Sequence, residues 1–498
     1  MDALNHLLAG FGEALTWQNL LFALFGTVLG TLVGVLPGVG PTSGIAILLP
    51  LTAFLPPTPA IIMLAAIYYG AMYGGSTTAI LVNIPGEVAS VVTTLDGYQM
   101  ARQGRAGPAL AIAAISSFVA GTLGLVGLTF FAPALADLAL RVGPPEYFGL
   151  VVLAFSVVVS LSGASLLKGL AAGALGILVA LVGLDPQSGV RRFSLGTAEL
   201  LGGIDFIAVI VGLFAIAEVL LAVERRAAAV SLAPIGRLMP SWADIKRCTG
   251  AMLRSTGIGF ALGMLPGCTP GAISFVAYDV ERRVSPSRAQ FGQGAIEGVA
   301  APEGANNATT SAGFVPLLAL GLPSTPALAV LLSGLQIYGL QPGPLLFEKQ
   351  PAFVWAVIAS MYIGNVMLLV LNLPLVGLWA RLVHVPYAVM GPMILVFSVV
   401  GAFSVRNTLF DVGVAVAFGV IGYVMTRLGY PTAPMVLALI LTPLGESALR
   451  QTLSMAGGSP VLLATRPLAA LFIVIGVALT AWSLVARRKR PEAFESTG

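Results

Sequence analysis

The chain has 498 residues, of which 57% are hydrophobic and only 9% charged, and its formal net charge is +4. A mean hydropathy of +0.95, with a charged fraction far below the roughly 25% of soluble domains, excludes an ordinary soluble protein. Continuous apolar blocks in place of short alternating strands exclude a β-barrel. They predict an all-α, polytopic integral membrane protein of about 10–12 membrane segments, each roughly 20 residues long.

In chain order, residues 1–17 carry no Lys or Arg and so lack the cationic start of a signal peptide. Leu4, Leu7, Leu8, Phe11 and Leu15 fit one face of a short helix, either lying at the interface or capping the first span. From Ala14 to Gly86 there is no Asp, Glu, Lys or Arg, which is length enough for two crossings. Inside that run stands Gly34-Val-Leu-Pro-Gly-Val-Gly-Pro41, a helix-breaking sequence in an apolar block. Tyr73-Gly-Gly-Ser-Thr-Thr78, Asn83-Ile-Pro-Gly86 and Asp96-Gly-Tyr98 follow.

The same order recurs later. Gly263-Met-Leu-Pro-Gly-Cys-Thr-Pro270 repeats the frame Gly-x-Leu-Pro-Gly-x-x-Pro, and Glu303-Gly-Ala-Asn-Asn-Ala-Thr-Thr310 answers Tyr73–Thr78. Gly321-Leu-Pro-Ser324 takes the place of Asn83–Gly86. Phe155-Ser-Val157 matches Phe397-Ser-Val399, and Gly183-Leu-Asp-Pro186 answers Gly429-Tyr-Pro431. The chain therefore reads as two internal repeats with broken helices or re-entrant hairpins. Residues 1–223 form the first repeat, with its site-forming part at 20–125. Residues 224–254 form a basic linker, 255–486 the second repeat with its site-forming part at 255–345, and 487–498 a basic tail. Linker and tail are predicted cytoplasmic by the positive-inside rule. The charges put the ends of both halves on one side, which favours parallel copies, although an extra crossing in the linker would restore inverted ones.

A broken helix at membrane depth exposes amide N–H groups and a positive dipole end to an anion, and carbonyls to a cation. Taken singly, a Ser or Thr here reads as helix packing, as do Gly26, Gly30 and Gly34. The paired Gly-Pro breaks beside Asn and Thr clusters turn the reading toward a transported solute. The expected substrate-binding residues are Gly38, Gly40, Thr42, Ser43, Ser76, Thr77, Gly267, Thr269, Asn307, Thr309 and Thr310. Asn83, Glu303 and Asn306 are the expected coupling-ion residues, for Na⁺ or, at Glu303, a proton. Glu87 reads as the mouth of a hairpin, and Asp96 as an interfacial residue beside Arg102 and Arg105.

Cys248 and Cys268 give no disulfide framework, and His6 and His384 no metal cluster. No phosphate-binding loop, zinc-protease motif or nucleophile–base set is present, so neither an ATPase nor an enzyme is expected, and no cofactor. The basic clusters are explained by membrane topology without nucleic acid.

At these motifs the chain resembles the large membrane subunit, TctA, of the tripartite tricarboxylate transporter family. The residues that carry the resemblance are Gly34–Pro41, Tyr73–Thr78, Asn83–Gly86, Asp96–Tyr98, Gly263–Gly267, Pro302-Glu-Gly-Ala-Asn-Asn-Ala308 and Gly321–Pro323. Gly304 stands where the family pattern is expected to carry Ser or another small residue. The resemblance implies a bacterial inner-membrane protein working with a small integral membrane subunit and a periplasmic solute-binding protein. It also implies Na⁺- or H⁺-coupled uptake of citrate or another organic acid. The expected mechanism is alternating access, elevator-like by analogy with other hairpin transporters of organic acids. The rival expectation from the residues alone is a stand-alone anion channel or exporter.

Overall fold

The computed structural model describes residues 2–36, 40–52, 54–161, 165–185, 187–224, 234–382 and 387–488. Gly38, residues 225–233 of the expected linker and residues 489–498 of the tail lie outside them. The described residues are almost wholly helical, with one two-residue antiparallel pairing of β1 (Gly183–Leu184) and β2 (Arg191–Arg192). Among them, 7 helices are long and apolar enough to cross a membrane. The protein is thus all-α and polytopic.

The chain starts with α1 (Asp2–Ala14) and α2 (Trp17–Val35), then α3 (Gly40–Thr52) and the long α4 (Pro57–Val82). A single turn, Val88–Ser90, leads into α5 (Val91–Arg102) and α6 (Ala106–Ala139). Next come α7 (Pro144–Leu161), α8 (Leu166–Ala180), α9 (Phe206–Ile210) and α10 (Ala217–Glu224), the last two joined through a π-turn at Val211–Ile216. The later chain holds α11 (Trp242–Gly263), α12 (Pro270–Val284), α13 (Glu297–Leu320), α14 (Pro326–Ile337), α15 (Pro344–Lys349) and α16 (Pro351–Asn372). It closes with α17 (Val376–Leu382), α18 (Tyr387–Arg406), α19 (Leu409–Arg427), α20 (Thr432–Met455), α21 (Val461–Thr465) and α22 (Pro467–Arg488). Residues 242–254 of the expected linker are therefore the start of α11.

Two compact units are formed, each drawing on both halves of the sequence. One comprises Met1–Ala139 with Ile207–Tyr423, the other Leu140–Phe206 with Val424–Gly498. In the larger unit, α2 lies along α4 on a strip of bare backbone. A methyl group on Gly26 would stand 2.5 Å from the Met63 carbonyl oxygen, and one on Gly30 2.6 Å from that of Ile67. The backbones approach more closely than any side chain allows. The pair α11 and α13 repeats this device, since a methyl on Gly259 would stand 2.5 Å from the Ala305 carbonyl oxygen.

Both long helices end alike. Asn83 closes α4 at φ 59°, ψ 25°, and Gly321 closes α13 at φ 70°, ψ 21°. Each left-handed residue stops its helix two positions before a proline, Pro85 and Pro323. The order of pre-break helix, short helix and long helix with a left-handed end is thus built twice. The two series also exchange partners: α3 packs on α14, α12 on the turn Val88–Ser90 and α5, α13 on α6, and α4 on α16.

The smaller unit is held by α7 against α22 and by α20 against α7 and α8. Arg192 bonds Asp185 and meets Glu446 at 2.7 Å, while Arg450 meets Asp185 at 2.6 Å and Glu446 at 2.7 Å. Arg192, Asp185, Glu446 and Arg450 therefore form one four-membered ion network.

Candidate functional site

In the larger unit the segments that follow the left-handed ends of α4 and α13 meet the end of α2 and the turn before α12. Gly86 presses on the Gly34 carbonyl so closely that a methyl would collide with it. A methyl on Gly271, at the start of α12, would come 2.8 Å from Cγ1 of Val88. The Gly267 N–H donates to the Ser324 carbonyl at 3.0 Å, with Gly267 itself at φ 86°. Each half therefore sets its closing loop beside its own break, Gly86 on the end of α2 and Ser324 on Gly267, and Val88 meets Gly271 of the other half.

Two helices start at the breaks. α3 begins at Gly40, a left-handed residue at φ 63°, with Thr42 half-buried and Ser43 buried in its first turn. α12 begins after Thr269, whose hydroxyl caps it by accepting the Ala272 N–H at 3.4 Å. Both helices start within the last residues of the repeated motif, α3 at Gly40 and α12 at Pro270, so the proline and glycine of the break also open an N-terminus.

Behind the loops, α4 and α13 are buried on all sides through their middle turns and carry polar groups there. The Ser76 hydroxyl donates to the Tyr73 carbonyl at 2.8 Å, and Thr77 is buried one residue on. Glu303, 1% exposed, accepts the Thr93 hydroxyl at Oε1, 2.5 Å away. One turn later the Asn306 amide donates to the Met72 carbonyl on α4 at 3.3 Å. Asn307 donates to the Glu303 carbonyl at 3.2 Å, and the Thr310 hydroxyl to that of Asn306 at 2.9 Å. Asn307 also lines a cavity of about 10 Å³ with Tyr69, Tyr73, Gly121, Ser311 and Asn365, roughly the room of one water molecule.

Not every expected residue joins this group. The Thr309 hydroxyl donates to the Gly259 and Ala305 carbonyls at 3.1 and 2.7 Å, so it faces α11 and fastens that helix pair. Asn83 is exposed, and its left-handed backbone ends α4. Asp96, expected at the interface beside Arg102 and Arg105, bonds Gly294, Ala295 and Tyr278. It is fully buried, its Oδ1 accepting the Gly294 and Ala295 N–H groups at 2.8 Å each, while the Tyr278 hydroxyl donates to Oδ2 at 2.8 Å. Arg105 instead pairs with Asp244 at 3.0 Å.

Sequence reasoning gave no site role to Tyr73, Asn365, Thr93 or Glu87. The Tyr73 hydroxyl donates to Asn365 Oδ1 at 2.5 Å, and the Asn365 amide donates to the Phe118 carbonyl at 3.0 Å and the Thr122 hydroxyl at 2.9 Å. One amide thereby ties α4, α6 and α16. Its signal was legible: Asn365 is an isolated amide in the middle of an uncharged apolar helix.

The model of the tripartite tricarboxylate transporter TctA family matches residues 20–437. The chain belongs to the TctA family. An uncharacterized 52.8 kDa protein in the TAR-I ttuC' 3' region of Agrobacterium vitis is 44% identical over 497 residues, covering 99% of both chains. A second uncharacterized protein of that organism, in the TAR-II ttuC' 3' region, is 41% identical over 238 residues, 47% of this chain and 98% of its own. Among solved structures, a mutant manganese transporter of Eremococcus coleocola aligns over 95% of this chain and 96% of its own at 13% identity, with a TM-score of 0.13. That score is too low to carry an argument. For this TctA chain, the matched span contains both breaks, both closing loops and both buried helices.

Proposed function

We propose that this component of a tripartite tricarboxylate transporter takes up a di- or tricarboxylate, or a related organic acid, by Na⁺- or H⁺-coupled alternating access. The observation that carries the reading is the contact of the two closing loops with the end of α2 and the turn before α12, beside the buried polar groups of α4 and α13. The starts of α3 and α12 offer amides and the positive ends of helix dipoles to the substrate carboxylates. Gly40, Thr42, Ser43, Gly267 and Thr269 line these starts, with Ser76, Thr77, Asn307 and Thr310 on the helices behind. The coupling ion belongs at Glu303 and Asn306. The membership of the chain in a tripartite family supports a small integral membrane subunit and a periplasmic binding protein as partners, in a bacterial inner membrane. An elevator-like movement of the loop-bearing helices is the form of alternating access we favour.

The test is uptake of a labelled tricarboxylate into proteoliposomes containing this chain and its small subunit, with the binding protein outside. A Na⁺ gradient and a H⁺ gradient are imposed in separate runs. Uptake is expected to require both the binding protein and one of the gradients. Flux that needs neither would overturn coupled transport in favour of a channel.

A further inference from the structure

Glu87, Glu303 and Asn306 share an unusual property. Each is buried, at 8%, 1% and 1% exposure, and each has one oxygen without a hydrogen-bond partner: Glu87 Oε1, Glu303 Oε2 and Asn306 Oδ1. The other half of each side chain is engaged. Glu87 Oε2 accepts the Ala89 N–H at 2.6 Å, Glu303 Oε1 accepts the Thr93 hydroxyl, and the Asn306 amide nitrogen donates to Met72. The side chains are therefore fixed, and the orphaned oxygens are not a matter of free rotation.

The three lie close together along the contact of α4 with α13. Glu87 folds back over Gly75, where a methyl would stand 2.8 Å from its Cγ and 3.3 Å from Oε1. Met72, which Asn306 grips, is one turn earlier on the same helix. Glu303 is one turn before Asn306 on α13, and Glu87 lies within its electrostatic reach. No Lys, Arg or His occurs in α4, α13 or α16 to neutralise them. The titratable groups nearby are Tyr68 and Tyr73, neither of which brings positive charge at neutral pH. Ionised carboxylate and amide oxygens are all acceptors and cannot satisfy one another, so a cation or a proton must be held among them. Two buried carboxylates without a counter-charge are strongly unfavourable.

We infer that Glu87, Glu303 and Asn306 form one binding site for a desolvated Na⁺ ion, with one carboxylate supplied by each half of the chain. A small hard cation takes oxygen ligands of this kind. Glu87, which the sequence placed at a hairpin mouth, is then a first-rank ion ligand. The site deepens the transport reading, on which its coupling role rests, but the binding itself does not depend on any substrate.

The experiment is the melting temperature of the purified full-length protein in detergent, measured in NaCl against choline chloride at equal ionic strength. Na⁺ binding to the native state alone raises the melting point with concentration. The expected result is a rise in the wild type that is lost in Glu87→Gln and in Glu303→Gln, and retained in Asn83→Gly. No rise in the wild type, or an undiminished rise in Glu87→Gln, would overturn the site. Uptake assays report on the transport reading separately.

Discussion

Asn307 is where the transport reading meets a single side chain. Its amide donates only to a carbonyl one turn back on its own helix, so its loss from the fold should cost no more than about 1 kcal/mol. Asn307→Ala is accordingly expected to insert and fold while abolishing organic-acid uptake in proteoliposomes; normal uptake by that variant would remove Asn307 from the site. Glycine positions give the opposite contrast, structure without substrate. A methyl on Gly30 would lie 2.6 and 2.8 Å from backbone atoms of Ile67, whereas one on Gly257 meets nothing within 4 Å. Gly30→Ala should destabilise by about 1–3 kcal/mol through overpacking, and Gly257→Ala should be neutral or stabilising by about 0.5–1 kcal/mol through helix propensity. Melting temperatures of the two variants that failed to differ would contradict the close α2–α4 contact.

At the scale of the element, the left-handed ends of the long helices explain residues that read ambiguously in sequence. Asn83 and Gly321 hold nearly the same backbone angles, and a side chain without a local hydrogen bond costs about 1–2 kcal/mol in that conformation. Asn83→Gly should keep both folding and uptake, while Asn83→Ala should lower the melting temperature. Loss of uptake in a well-folded Asn83→Gly protein would instead restore the amide to ion coupling. In the smaller unit, Asp185 lies in a loop outside the spans. The Ser188 N–H, then Arg192, hold its carboxyl well below the usual range. A depressed value means that its stabilisation is present above the ordinary aspartate value of about 3.9 and is lost as pH falls toward the folded one. Asp185→Asn should be less stable than the wild type at pH 7, and the gap should narrow below about pH 4. Parallel melting curves across that range would show that the ion network contributes nothing.

For the molecule as a whole, the breaks and the duplication were legible because glycine and proline carry backbone meaning that survives without neighbours. Gly34–Pro41 and Gly263–Pro270 do interrupt helices, and Asn83 and Gly321 do end them in matched conformations. Which helix packs on which was not legible. α4 and α13 are buried on every face, so no periodic stripe points to a partner, and the exchange of α3 with α14 and α12 with α5 has no local signature. The same gap hid Asp96, whose partners lie 198 and 199 residues away, and Glu87, whose importance rests on a neighbour from the other half. The central claim is that the two halves meet at one site, and the contact of Val88 with Gly271 tests it most directly. In a background of Cys248→Ala and Cys268→Ala, Val88→Cys and Gly271→Cys should form a disulfide in native membranes under mild oxidation. Bridged peptides from the two halves after proteolysis are the predicted result; two free thiols under conditions that oxidise a control pair would contradict it.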